Sequence, residues 1–84
     1  MNKWKKLYEQ LLADPKKSMS FHDFEGLLKA LGFDHLRTKG SHRRYAHRHA
    51  KAIMTINPSG KDSHRYQREL LLEFVELYGL HISA

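Results

Sequence analysis

Residues 37–47 read Arg-Thr-Lys-Gly-Ser-His-Arg-Arg-Tyr-Ala-His, so His42 follows the Gly40-Ser41 dipeptide with Arg37, Lys39, Arg43 and Arg44 on either side. Imidazole is the side chain that gives or takes a proton near neutral pH. Guanidinium and ammonium groups hold phosphate oxygens, the guanidinium bidentately. A histidine among cations is therefore equipped for phosphodiester chemistry, and RNA brings its own nucleophile, the 2′-hydroxyl. Taking that proton while cations stabilise the crowded phosphate would cleave the chain without a metal or any other cofactor. The same residues also suit a solvated basic strand edge that discourages strand addition. Residue types alone leave both readings open.

Other chemistries fit less well. His42, His47 and His49 lie at i, i+5 and i+7, a spacing that turns His42 to the strand face opposite His47. Zinc needs three or four convergent ligands, usually with cysteine or carboxylate among them, and the chain has no cysteine. Ser41 is poorly placed as a nucleophile for His42, because neighbours on a strand face opposite ways. Acid–base cleavage also wants a second proton-transfer group; His47, Lys39, Tyr45 and a water all stay open.

These side chains need a scaffold, and hydrophobic periodicity supplies one. Trp4, Leu7, Tyr8, Leu11 and Leu12 follow the i, i+3, i+4, i+7, i+8 pattern of one helical face, which Asp14-Pro15 ends. Ser20 with Asp23 starts a second helix through Phe21, Phe24, Leu27, Leu28 and Leu31, and Gly32 is a ready residue to leave it. Residues 33–38 and 41–47 read as two strands around a Lys39-Gly40 turn, and residues 52–56 as a third strand. Residues 57–60 are turn chemistry, and a last helix is expected over 63–78 before Gly79. The order α-α-β-β-β-α predicts an α+β fold with one antiparallel sheet covered by helices. Its expected core is Phe24, Leu27, Leu28, Leu31, Leu36, Tyr45, Leu70, Leu71 and Phe74.

A Lys39-Gly40 turn sets Arg37 opposite His42, Leu36 opposite Arg43 and His35 opposite Arg44. One strand face then carries Leu36 and Tyr45, and the other a basic strip of His35, Arg37, His42 and Arg44. A one-residue slip exchanges the two sets.

Composition points the same way. Fifteen lysines and arginines oppose nine acids, for a net charge of +6 in 84 residues. That length supports a single core, and a small basic domain attracts polyanions, of which nucleic acid is the commonest in a cell. No apolar run is long enough to span a membrane and no signal peptide is evident, so the expected setting is the cytoplasm, with no membrane partner.

The segment that runs helix, Gly32-Phe33, strand, Arg37, Gly40-Ser41-His42, strand and helix resembles the HicA family of type II toxin–antitoxin toxins. Residues 57–67 look like a variant of that family's approach to its final helix. The resemblance implies a fold similar to a double-stranded-RNA-binding domain: α-β-β-β-α, with a three-stranded antiparallel sheet, over residues 20–84. Residues 1–19 then form an N-terminal helical extension outside the usual minimal toxin. The resemblance also implies an mRNA interferase, an endoribonuclease held off by a HicB-type antitoxin, with its catalytic histidine at His42 and its turn glycine at Gly40, beside Ser41. On this reading Arg37, Lys39, Arg43 and Arg44 hold RNA phosphates. A non-catalytic double-stranded-RNA-binding module and an antitoxin-regulated interaction protein are the alternatives.

Overall fold

The computed structural model of the chain describes residues 2–82. Helices cover one face of a three-stranded sheet, with α1 packed against α2: α1 (Lys3–Ala13), α2 (Phe21–Ala30), β1 (Phe33–Lys39), β2 (His42–His47), β3 (Ile53–Ile56), a small hairpin of β4 (Pro58–Ser59) and β5 (Asp62–Ser63), then α3 (Arg65–Tyr78). The sheet is antiparallel in the order β1-β2-β3. This is the expected α+β architecture, α-β-β-β-α behind an additional N-terminal helix. Asn2 caps α1 through its side-chain oxygen on the Trp4 N–H, and Ser20 caps α2 on the Asp23 N–H. Each cap satisfies an N–H that the first turn leaves unpaired.

The hairpin differs from its expected register. Lys39 pairs with His42, Thr38 with Arg43 and Arg37 with Arg44, so the turn is Gly40-Ser41 and not Lys39-Gly40. Gly40 has φ +61° and no other residue type has positive φ among the described residues. A two-residue turn with glycine first and only that residue at positive φ is the II′ arrangement. The Lys39-Gly40 alternative would have forced Lys39 into the left-handed region. Beyond Arg37 a bulge at Leu36 shifts the ladder, and His35 then pairs with Tyr45 and Phe33 with His47. The bulge leaves Leu36 57% exposed, so it is not the core residue that strand alternation predicts.

Two further boundaries move. Residues 57–60 extend into the β4–β5 hairpin, and α3 begins at Arg65 because Ser63 belongs to that hairpin. Its N–H and its hydroxyl both donate to the Met19 carbonyl, at 2.9 and 2.7 Å. Arg68, 3% exposed, donates to the Ser63 carbonyl and hydroxyl and to the Pro15 carbonyl. A buried guanidinium with neutral acceptors on three sides ties α3 to the α1–α2 link.

The core gathers Phe24, Leu27, Leu28 and Leu31 from α2 and its end, Phe33, Tyr45, Met54 and Ile56 from the sheet, and Leu71 from α3, all at 1% exposure or less. Leu70 and Phe74 pack against it only partly. α1 adds Leu11 to this core, at 2% exposure, and sets the six-membered ring of the Trp4 indole against Gly26, in the middle of α2. A Cβ at Gly26 would stand 2.1 Å from the ring, so the helix carries glycine where its propensity disfavours it.

That contact makes a prediction of sign. On propensity alone Gly26→Ala stabilises a helix by about 1 kcal/mol; here it should lower the melting temperature and red-shift the emission of the single tryptophan. Adding Trp4→Ala should recover most of the loss. A more stable Gly26→Ala protein with unchanged emission refutes the packing.

Candidate functional site

β2 has a wet face and a helix face, and the hairpin register decides which side chain goes where. Lys39 and His42 form one cross-strand pair, Arg37 and Arg44 the next, and Arg44 faces Thr55 on the other side. All five line one shallow depression on the face of the sheet away from the helices. Cross-strand pairs hold their Cβ atoms about 5 Å apart, so the imidazole has an ammonium beside it and two guanidiniums one pair along. Arg37, Lys39 and Arg44 have no carboxylate within ion-pairing distance among the described residues, in contrast to Arg43, Arg48 and Arg65. Three unpaired cations around one exposed histidine make a receptor for an anion.

The structure brings together most of the residues singled out from sequence, but not all. Lys39 takes the place opposite His42 that the Lys39-Gly40 turn assigns to Arg37. His35 leaves the strip: its ring stacks on Tyr45 at 4.9 Å and its Nε2 lies 2.8 Å from the Thr38 hydroxyl, on the helix side of the bulge. Arg43 also turns to the helix side. Its guanidinium donates to Glu25 Oε1 at 2.5 Å and lies over the Phe21 ring. Gly40 and Ser41 form the turn itself.

Glu25, which sequence reasoning did not single out, organises the site from below. Its second oxygen accepts from the Tyr45 hydroxyl at 2.6 Å. Burial pushes the Glu25 carboxyl up, but the Tyr45 and Arg43 hydrogen bonds and the charges of Arg43 and Lys29 outweigh it. The group therefore sits below its ordinary range. Burial, and then the bond to Glu25 and its charge, push the Tyr45 phenol well above its ordinary value. A phenol so held is a poor proton donor.

His47 is likewise committed elsewhere. One ring nitrogen lies 2.8 Å from the Leu31 carbonyl, and the other accepts from the His49 and Ala50 N–H groups at 3.1 Å. This geometry is that of the neutral tautomer with the proton on Nε2. Nδ1 holds the β2–β3 loop and Nε2 the end of α2, both away from His42. Among the described residues no group of three His, Cys, Asp or Glu side chains is placed to hold a metal, and no helix is long and apolar enough to cross a membrane.

Removing the Glu25 carboxylate should cost stability at neutral pH. Glu25→Ala leaves Arg43 and Tyr45 without their shared acceptor, a loss of about 2–3 kcal/mol and a drop of about 10 °C or more in melting temperature. The carboxyl is depressed by folding, so its contribution is present above the ordinary carboxylate range and fades as pH falls through the folded value. The gap between wild type and variant should therefore narrow below about pH 4. Calorimetry across pH checks this, and a gap that stays constant or widens on acidification contradicts the assignment.

The segment that builds this face is also the one a family model describes. The model of the HicA toxin of bacterial toxin–antitoxin systems matches residues 21–73, from the first residue of α2 into α3. No curated protein and no solved structure matched the chain. With well over half of its length covered, and with His42 on the hairpin that the match spans, the chain belongs to the HicA toxin family of bacterial toxin–antitoxin systems.

Proposed function

We propose that the protein is a metal-independent endoribonuclease toxin, an mRNA interferase of the cytoplasm, with His42 as its proton-transfer group and a HicB-type antitoxin as its partner. The observation that carries this reading is the exposed His42 with Lys39 across the ladder, beside the Arg37–Arg44 pair, on a face where these cations have no carboxylate partner among the described residues. Neutral His42 takes the proton of a ribose 2′-hydroxyl, and the resulting oxygen attacks the adjacent phosphorus. The P–O5′ bond breaks, giving a 2′,3′-cyclic phosphate and a 5′-hydroxyl that takes up a proton. Arg37 and Arg44 hold the non-bridging oxygens, and Lys39 stands nearest to the developing charge. Of the candidates for the second proton transfer, His47 and Tyr45 face the helices and are engaged there, which favours Lys39 or a water. Arg43 is held by Glu25, so its contribution is to the hairpin and not to phosphate.

RNA binding should weaken steeply with salt, since each phosphate neutralised releases counterions. Arg44→Ala should reduce the slope by about one. His42→Ala should keep the circular dichroism of the wild type and nearly its RNA affinity while cleavage falls by about 10²–10⁴, and growth arrest on induction should vanish with it. A folded His42→Ala protein that cuts RNA at the wild-type rate ends the catalytic assignment. Salt-independent binding ends the RNA reading altogether.

A further inference from the structure

β3 is an edge strand, and its ladder decides which of its backbone groups are free. The His47 N–H donates to the Ala52 carbonyl at 2.9 Å, and the register runs on with Ala46 opposite Ile53, Tyr45 opposite Met54 and Arg44 opposite Thr55. Antiparallel pairs alternate between bonded and unbonded. Met54 and Ile56 therefore bond β2, while the N–H and C=O of Ile53 and Thr55 point away from the sheet. α3 closes this edge at its two ends. The Tyr78 hydroxyl donates to the Lys51 carbonyl at 3.2 Å, and the Asn57 N–H donates to Gln67 Oε1 at 3.3 Å. Between these caps the groups of Ile53 and Thr55 have no partner among the described residues.

An apolar flank of α3 borders the same edge. Gln67 and Tyr78 face β3, and helical spacing puts Leu70, Phe74 and Leu77 on that side, a little farther round. Phe74 touches the Tyr78 ring, with centroids 6.1 Å apart. Leu77 is 70% exposed; the Ile53 side chain stands on the other face of the sheet, with Thr55. The opposite edge of the sheet is different in kind: β1 is bulged at Leu36, and His35 bridges back to the Arg37 carbonyl and the Thr38 hydroxyl.

We propose that the β3 edge and the α3 flank dock an extended strand of a protein partner, one whose side chains alternate between acidic and apolar. Its backbone completes the hydrogen bonds of Ile53 and Thr55. Its apolar side chains fall on the helix side, against Leu70, Phe74 and Leu77. Its acidic side chains fall on the other face beside Thr55, which lines the same depression as Arg37 and Arg44. Arg44 lies two strand spacings from the docked strand, about 10 Å, within reach of a glutamate meeting an arginine. A second copy of the chain would bring +6 against +6 and offer these cations no counter-charge, so charge complementarity selects an acidic partner over self-pairing. Naming that partner as the antitoxin rests on the toxin reading given above; the docking surface does not.

The test is a titration of the isotope-labelled full chain, followed by NMR, with a short end-blocked peptide of alternating glutamate and valine. The amides of Ile53 and Thr55 and the methyl groups of Leu70 and Leu77 should shift together. A lysine–valine peptide should bind about tenfold more weakly or worse, and Leu77→Lys and Ile53→Pro, each with the circular dichroism of the wild type, should weaken the glutamate peptide by a similar factor. Shifts confined to Arg37, His42 and Arg44 would mark plain charge attraction and overturn the proposal. Protection of the Ile53 and Thr55 amides in the free protein, with a doubled mass in solution, would also overturn it by giving the edge to a second copy. Leu77→Lys leaves the His42 face untouched and should arrest growth on induction as the wild type does. A wild type that causes no arrest removes the toxin reading and the antitoxin's name, while the titration still decides the surface.

Discussion

Glu25 reaches from α2 to the middle strand with one oxygen on the Tyr45 hydroxyl and the other on the Arg43 guanidinium. Side chains alternate along a strand, so holding residues 43 and 45 against the helices leaves His42 and Arg44 no choice but the opposite face. A carboxylate on the buried side thus determines what the solvent side can do. Were the strand to slip by one residue, the histidine and its cations would turn into the core and the unpaired charge would be severely penalised. Register and candidate chemistry are in this way one problem with one solution.

The helix face of the hairpin is polar to a degree that a minimal core would not need. Tyr45, Arg43, His35 and His47 all stand there, and each has a hydrogen-bond partner in the structure. No buried side-chain nitrogen or oxygen among the described residues lacks one. Such networks are directional where hydrocarbon packing is not. Arg68 plays the same part at the other end of the molecule, reading three oxygens of two separate segments. Together they give a small domain with a modest core a specific arrangement of its elements.

Much of this was legible in the chain. The periodicities of residues 4–13 and 20–31 mark α1 and α2, Ser20 marks the start of the latter, and the histidine among cations marks the candidate site. Where the reading failed, the physics is identifiable. Gly40 precedes Ser41, and a II′ turn wants glycine first, so the tip lies one residue later than a Lys39-Gly40 turn puts it. The bulge at Leu36 depends on His35 reaching Thr38 and stacking on Tyr45, contacts between side chains that no periodicity encodes. Glu25 looks like an ordinary surface residue of an amphipathic helix until β2 is laid beneath it. Gly26 looks like a weak spot in α2 until Trp4 arrives from another helix. Each miss is a tertiary contact that overrides a local pattern.

The bulge in β1 has a bearing on how the molecule behaves in company. A sheet with two straight, unfilled borders can be extended from either side, and a chain of such sheets has no natural end; this is the geometry of ribbons and fibres. Here one border is buckled at Leu36 and lined by Asp34, Arg37 and Lys39, which discourage a further strand. Growth by lateral pairing can then proceed from the β3 border alone and stops after a single addition. A basic, 84-residue chain with exposed leucines is thereby given a finite stoichiometry: its valence for strands is one.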